Sequence, residues 1–381
     1  MTLPPLSLYI HIPWCVRKCP YCDFNSHQAA SELPEKDYID ALLKDLEHDL
    51  PWVQGRPVQS IFFGGGTPSL FSANAYRRLF NGLQQKLSFA ADIEITLEAN
   101  PGTFEAEKFT AYRQAGINRL SMGIQSFDPR QLKQLGRIHD RDQALRAIEI
   151  AKRSGFDNFN LDLMHGLPGQ TPEQALDDLN TALAFEPPHL SWYQLTIEPN
   201  TEFYKRPPVL PEDDTLWDIQ EQGQALLETA GFQHYEISAY SLPGRQARHN
   251  VNYWRFGDYL GIGAGAHGKI TLDGPAGMRI VRSRKTRLPK DYLNPDRRFL
   301  AAVDDILPQD TALECMMNAL RLHDGISVDD FERRTGMTLS SLKGPLEQAE
   351  KLGLIEQGEF IRASARGRQY LNELLALFLT D

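Results

Sequence analysis

Four cysteines in 381 residues are too few for a disulfide-stapled scaffold. No apolar run approaches the length needed to cross a bilayer, and residues 1–5 lack a basic stretch leading into a long apolar core. Neither stable membrane insertion nor an export signal is therefore expected. Positive charge is in deficit: 40 Lys and Arg against 50 Asp and Glu leave a net charge of −10, which disfavours a general nucleic-acid binder. Short-period repeats and low-complexity tracts are missing as well. What remains is a soluble, cytoplasmic globular chain with 41% hydrophobic residues, long enough to bury a large core in two or three domains.

The few cysteines are unevenly placed. Cys15, Cys19 and Cys22 fall within eight residues, directly after the apolar run 6–12, whereas Cys315 lies far downstream in a helical pattern. Two cysteines separated by two residues can take adjacent corners of a metal centre, and the third reaches another corner from the same loop. Structural zinc is usually closed by four protein ligands, so His11 or His27 would have to supply the fourth. Three thiolates on a cubane iron–sulfur cluster would instead leave one iron without a protein ligand, open to chemistry.

Apolar, β-rich runs at 6–12, 60–64, 93–99, 119–125, 158–164 and 190–197 are each followed by an amphipathic segment of helical length. Six βα units imply an α/β fold with a parallel sheet, right-handed crossovers and a partial (β/α)6 barrel rather than a closed eightfold one. Ligands gather at the carboxyl ends of strands in such folds. Those ends carry Gly64-Gly65-Gly66-Thr67-Pro68-Ser69 after the second strand, Glu98-Ala99-Asn100-Pro101-Gly102 after the third, Gln125-Ser126-Phe127 after the fourth and Asp162 to Gly169 after the fifth. Glycines let a ligand approach the backbone, although a tight strand-to-helix turn needs them equally. Glu98 and Asp162 sit in apolar strand patterns, where an unpartnered carboxylate is costly, so a cationic, hydroxyl-bearing ligand would suit them.

The C-x3-C-x2-C spacing with Tyr21 before the last cysteine resembles the radical S-adenosylmethionine (SAM) superfamily. With Tyr9 to Cys15, Gly64 to Ser69, Gly123 to Phe127 and Gly166 to Gly169, the chain resembles the anaerobic coproporphyrinogen oxidase family within it, over nearly its whole length. The resemblance implies that Cys15, Cys19 and Cys22 bind a [4Fe–4S] cluster whose open iron is chelated by the methionine end of SAM. It implies that Gly65, Gly66 and Thr67 hold that methionine end and that Tyr21 meets the adenine. Glu98, Gln125, Arg137 and Asp162 would line the remainder of the site, with Tyr9 as a further candidate.

One departure separates two branches of that family. The decarboxylating oxidases carry another cysteine two residues after the last cluster ligand, where this chain has Phe24, and an N-terminal extension before the first strand. Cys-x-Phe, a short N-terminus and His249-Asn250-Val251-Asn252-Tyr253-Trp254 resemble instead a heme-chaperone branch. On that reading His249 is a candidate axial heme ligand, Tyr253 and Trp254 offer flat apolar surface, and Arg245, Arg248 and Arg255 could pair with propionates. Between residues 277 and 298 eight basic side chains face only Asp291 and Asp296, a local excess that suggests an anionic partner or a solvated loop.

The glycine-rich run 260–268 resembles the family's link into its C-terminal domain. Further on, 311–322, 328–334 and 339–352 read as helices, and 354–356 with 359–361 as a hairpin around Gln357-Gly358, an order that resembles a winged helix. From residue 310 onward twelve acidic and eight basic side chains argue against DNA binding. Three segments follow: 1–240 as the radical SAM partial barrel, 241–304 as a linker and candidate heme-binding region, and 305–381 as a winged-helix-like domain within an α+β C-terminal region. The expected function is binding heme and passing it to heme-acceptor apoproteins, with an electron donor for the cluster and a homodimer as one assembly option. The alternatives are an oxygen-independent coproporphyrinogen III oxidase and a redox-sensing binding module; enzymatic turnover is left open.

Overall fold

The structure, a computed structural model, describes residues 3–29, 32–103, 105–275, 277–356 and 358–379. All six expected strands form, as β1 (Leu6–Ile12), β2 (Val58–Gly65), β3 (Phe89–Ala99), β4 (Arg119–Gln125), β5 (Phe159–His165) and β6 (His189–Gln194), paired in parallel in that order. The sixth is shorter than its apolar run suggested, ending three residues before Ile197. Side chains alternate between the two faces. On β2, Phe63 points out to pack on Tyr76 and Phe80 of helix α1 (Ala73–Lys86), while Phe62 points into the barrel beside Tyr9. Outward-facing aliphatic and aromatic side chains form one continuous core with the helices, each buried large side chain contributing about 1.5–3 kcal/mol.

The sheet does not stop at six strands. Residues 241–304, expected as a linker, belong to it: β9 (Asp258–Ile262) pairs in parallel with the free edge of β1, and β10 (His267–Gly274), β11 (Gly277–Lys285) and β12 (Leu300–Asp305) continue antiparallel from there. At the opposite edge β7 (Gln233–Glu236) and β8 (Ala239–Ser241) add antiparallel to β6, giving twelve strands.

The expected anionic partner of the basic stretch is mostly intramolecular. Arg279 pairs with Asp305, Arg282 with Glu314, Arg284 with Asp304 and Arg297 with Asp291. Lys285, wholly buried, lies 2.5 Å from Asp45 and 2.8 Å from Asp49 on the long helix Glu35–Val53. A buried ammonium is tolerated only with such partners.

The barrel's lower end, where the strands begin, is plugged by the short helix α2 (Arg248–Trp254), which carries the His249 motif. Its own N-terminal flank offers no side-chain cap. Glu94 of β3 performs that role from across the sheet, accepting the backbone N–H of Arg248 and His249 as well as the His249 ring at 2.9 Å. His249 is 4% exposed and stacks on Phe62 at 4.3 Å, while Asn252 bonds Ser7 and the Asp258 carbonyl. The His249 ring, a candidate axial heme ligand by sequence, thus forms part of the barrel plug in this structure. Burial opposes ionisation of Glu94, but the His249 hydrogen bond and the Arg119 charge outweigh it and hold the carboxyl at about 2. Burial lowers the His249 value, so a neutral imidazole donates Nδ1–H to an ionised carboxylate.

The C-terminal region has a second core, with Cys315 and Phe331 fully buried in it. Its helices Pro308–Ala319 and Val328–Thr335 match the expectation, and the third begins as a 3-10 turn at Leu339–Leu342 before Lys343–Lys351. Strands Ile355–Glu356 and Phe360–Ala363 pair antiparallel with Ile326–Ser327 alongside, the arrangement of a winged helix; Gln357 of the expected turn lies outside the described residues. Among the contacts that tie this region to the barrel edge, Arg321 lies 3.7 Å from Glu236, Leu322 bridges to the same residue and the His323 N–H donates to the Tyr235 carbonyl at 3.0 Å.

His249→Ala should destabilise the fold by about 3 kcal/mol, because it leaves the Glu94 charge buried with one partner fewer. The chemical denaturation midpoint should fall accordingly, with a smaller fall in His249→Gln, whose amide can still donate. An unchanged midpoint in both variants would contradict the plug.

Candidate functional site

At the carboxyl ends of the strands, the loop after β1 lies over the turn after β2. Gly66 N–H donates to the Ile12 carbonyl at 2.8 Å and Thr67 N–H to the Trp14 carbonyl at 2.7 Å, so the cysteine loop and the glycine turn are held as one unit. The glycines are demanded first by protein neighbours rather than by a ligand. A Cβ on Gly66 would come within 2.5 Å of the Trp14 backbone, and one on Gly65, whose φ is +113°, within 2.4 Å of the His11 ring.

Cys15, Cys19 and Cys22 are unpaired thiols at intermediate exposure. Thr67 Oγ1 lies 3.5 Å from Cys15, Arg137 Nη1 3.4 Å from Cys19 and Ser26 Oγ 3.9 Å from Cys22. Each sulfur therefore has its own polar neighbour. Among the described residues, no three His, Cys, Asp or Glu side chains are placed to hold a single metal ion. The two histidines proposed to complete a zinc site are otherwise engaged: His11 lies 2.7 Å from the Tyr9 hydroxyl and 2.8 Å from the Asn25 carbonyl, and His27 3.2 Å from Asn25 Oδ1. Burial lowers the His11 value to about 4, so it stays neutral.

A cavity of about 330 Å³ opens beneath the three sulfurs into the barrel. Tyr21, Gly65, Gly66, Thr67, Glu98, Gln125, Arg137 and Asp162 all line it, bringing together eight of the ten non-cysteine residues expected to bind a cofactor. Tyr9 and His249 are the two it leaves out. Tyr9 lines a neighbouring aromatic cavity with Phe62, Tyr253 and Tyr259, and His249 is in the plug below. Arg137 spans the site, donating to the Gly123 carbonyl at 2.7 Å and to Asn100 Oδ1, and lying 3.4 Å from the Tyr21 hydroxyl. Gln125 takes a positive φ of 72° where β4 bulges, and accepts the Tyr193 hydroxyl at 2.8 Å. A non-glycine residue in that region is held there by its surroundings.

The electrostatics of the cavity are unbalanced. Among the described residues Glu98 accepts the Gly65 N–H, at 3.2 Å, and no other hydrogen bond; burial, reinforced by the Asp162 charge, pushes its carboxyl up to about 8. Asp162 is also pushed up by burial, despite hydrogen bonds from Ser121 and Asn160. Glu236, a third buried carboxylate on the wall, is raised by burial too. Glu236 has Arg321 at 3.7 Å, but Glu98 has no cationic partner among the described residues, so the Glu98–Asp162 wall is the part of the cavity that suits a cation.

Sequence reasoning missed several residues here. Asn100, which bonds Thr67 at 3.2 Å and receives Arg137, lay in a quoted motif without an assigned role. Tyr193 follows from β6 alternation, and Glu236, Asn250 and Trp254 line the floor from elements whose position no pattern revealed. Phe24, 61% exposed, stands at the mouth.

Residues 9–182 match the model of the radical SAM superfamily, and residues 306–370 that of the HemN C-terminal domain. The chain is 53% identical to the heme chaperone HemW of Escherichia coli (strain K12), covering all of this chain and 99% of that one, and 33% identical to HemW of Bacillus subtilis (strain 168), covering 98% and 99%. Among solved structures it resembles the radical SAM enzyme coproporphyrinogen III oxidase (HemN) of Escherichia coli, with a TM-score of 0.82 at 25% identity over 99% of this chain and 90% of that one. With that identity over the full length of its relatives, the chain belongs to the HemW family of radical SAM proteins.

Proposed function

We propose that this protein is a heme chaperone: it binds heme and hands it to heme-acceptor apoproteins, while carrying a [4Fe–4S] cluster and SAM. The observation that carries the reading is a full cofactor cavity whose mouth bears Phe24 in place of the oxidases' extra cysteine, in a chain related over its full length to heme chaperones. The donor set fits the cofactors. Three separate thiols suit three irons of a cubane, and Arg137 lies 3.4 Å from the Cys19 sulfur. The buried pair Glu98 and Asp162 fits the positive charge of a sulfonium ligand, and Tyr21 has a flat face in the same cavity.

When bound, the cluster would supply an electron to SAM. The chain's own contributions are distinct: Gly65, Gly66 and Thr67 shape the turn against the ligand, Gln125 and Arg137 direct hydrogen bonds inward, and Glu98 holds the charge. An electron donor, a cytoplasmic setting and a homodimer are consistent with this role. No helix among the described residues is long and apolar enough to cross a membrane. The likeness to the HemN structure favours one competing reading, decarboxylation of coproporphyrinogen.

Anaerobic reconstitution should yield one cluster per chain, lost in Cys15→Ala, Cys19→Ala or Cys22→Ala and kept in Cys315→Ala. Iron and sulfide analysis checks this; loss only with Cys315, or stoichiometric zinc in its place, contradicts it.

Glu98 makes SAM binding pH-dependent. Its ligand-free value of about 8 means that the carboxyl is protonated at neutral pH, whereas a cationic ligand stabilises the ionised form, so binding expels a proton. Affinity should therefore rise with pH towards 8, by at most about tenfold per unit from this group. Equilibrium dialysis of wild type and Glu98→Gln separates this proton from any released by SAM itself: the slope should fall by about one in the variant. Equal slopes would remove Glu98 from the ligand's charge.

The reconstituted protein should bind about one heme per chain and form no protoporphyrinogen from coproporphyrinogen, even with the cluster reduced and SAM present. Product analysis beside heme titration on one sample decides between the readings. Decarboxylation over many turnovers would reject the chaperone.

A further inference from the structure

Helix α2 has two faces, and only one serves the barrel. His249 and Tyr253, four apart, turn inward to Phe62 and Tyr259. Arg248, Val251 and Arg255, at the i, i+3 and i+7 spacing of the opposite face, line a separate cavity of about 700 Å³ at the start of β1 and β2. Its floor is apolar, with Leu3 and Pro5 beside Val251, and Arg334 enters its wall from the C-terminal region. A volume of this order is typical of sites that enclose a small organic ligand.

Four arginines line the cavity and their charges are only partly matched; Arg56 is paired with Asp258 at 2.6 Å. Arg334, with only 12% of its side chain exposed, has one carboxylate partner, Asp330 at 3.3 Å, which it shares with Arg333. Arg255 has no acidic partner among the described residues, and its positive charge acts on Arg334, whose value is lowered by burial and by that neighbour. Arg334 also donates to the Arg255 carbonyl, which keeps the two residues together. Arg248 is held at the rim by Asp92 at 2.7 Å. Like-charged guanidiniums converging on an apolar floor are stabilised by an anion that is otherwise apolar. No side chain lining the cavity among the described residues is a His, Met, Cys or Tyr that could bind iron.

We propose, resting on the chaperone reading, that this cavity is where heme is carried: the macrocycle lies on the apolar floor, its propionates pair with Arg255 and Arg334, and no protein atom ligates the iron. Such binding suits a carrier. The iron stays free for the ligand of an acceptor, and release breaks no metal–protein bond. The site also stands at the end of the barrel opposite the cysteine loop, so cargo and cofactor do not compete.

Iron-free protoporphyrin IX, heme and the dimethyl ester of protoporphyrin are the probes, titrated by fluorescence or absorbance into the full-length reconstituted protein. Wild type should bind heme and protoporphyrin within about threefold of each other and the ester at least about tenfold more weakly, the loss expected when charge-assisted pairs are removed. Arg255→Glu should weaken both acids by about tenfold or more, and Gln246→Trp, which fills the cavity without changing charge, should do the same. Unchanged iron and sulfide content will show that the variants are folded. Heme binding that ignores both variants, fails for the iron-free acid or is matched by the ester overturns the cavity while leaving the chaperone reading in place. Failure of the wild type to bind either acid instead removes the chaperone reading, and this site with it.

Discussion

A carboxylate buried inside a barrel must find a partner, and Glu94 finds it 155 residues later in the chain. By accepting the first N–H groups and the ring of His249, it caps α2 and seats the helix across the lower end of the barrel. Much else depends on that seating. The same helix sends Asn250 and Trp254 to the floor of the upper cavity, Tyr253 to the aromatic one and Arg248 and Arg255 to the lower one. Three cavities thus share one short element.

The upper cavity shows the complementary case, in which carboxylates are buried without enough partners. Glu98 and Asp162 could have been matched by the chain, as Asp45 and Asp49 are matched by Lys285, but they are not. Their raised values measure what a cationic ligand would relieve. Two backbone hydrogen bonds tie the cysteine loop to the glycine turn on the other side of that site.

The C-terminal region is attached through charge as much as through apolar contact. Arg321 reaches Glu236 on the wall of the upper cavity, Arg282 of the sheet reaches Glu314, and Arg334 reaches the lower cavity. Exposed pairs of this kind contribute little individually, but Glu236 is buried, so the Arg321 contact is the costly one to break.

The local pattern of the chain determined the cluster loop, the six βα units, the polar residues at the strand ends and the winged C-terminal elements. Each is written in spacing: three cysteines in one loop, apolar alternation, glycine after a strand. Resemblance extended this to the residues of the cofactor cavity, and eight of the nine named for it besides the cysteines meet there. Only the tertiary structure decided that residues 241–304 extend the sheet, that the basic stretch is paired internally and that His249 faces inward. It also showed that the glycines at 65 and 66 are in close contact with His11 and Trp14. These outcomes depend on partners far apart in sequence, such as Glu94 with His249 or Asp45 with Lys285, and local periodicity carries no information about which distant charge a side chain will meet.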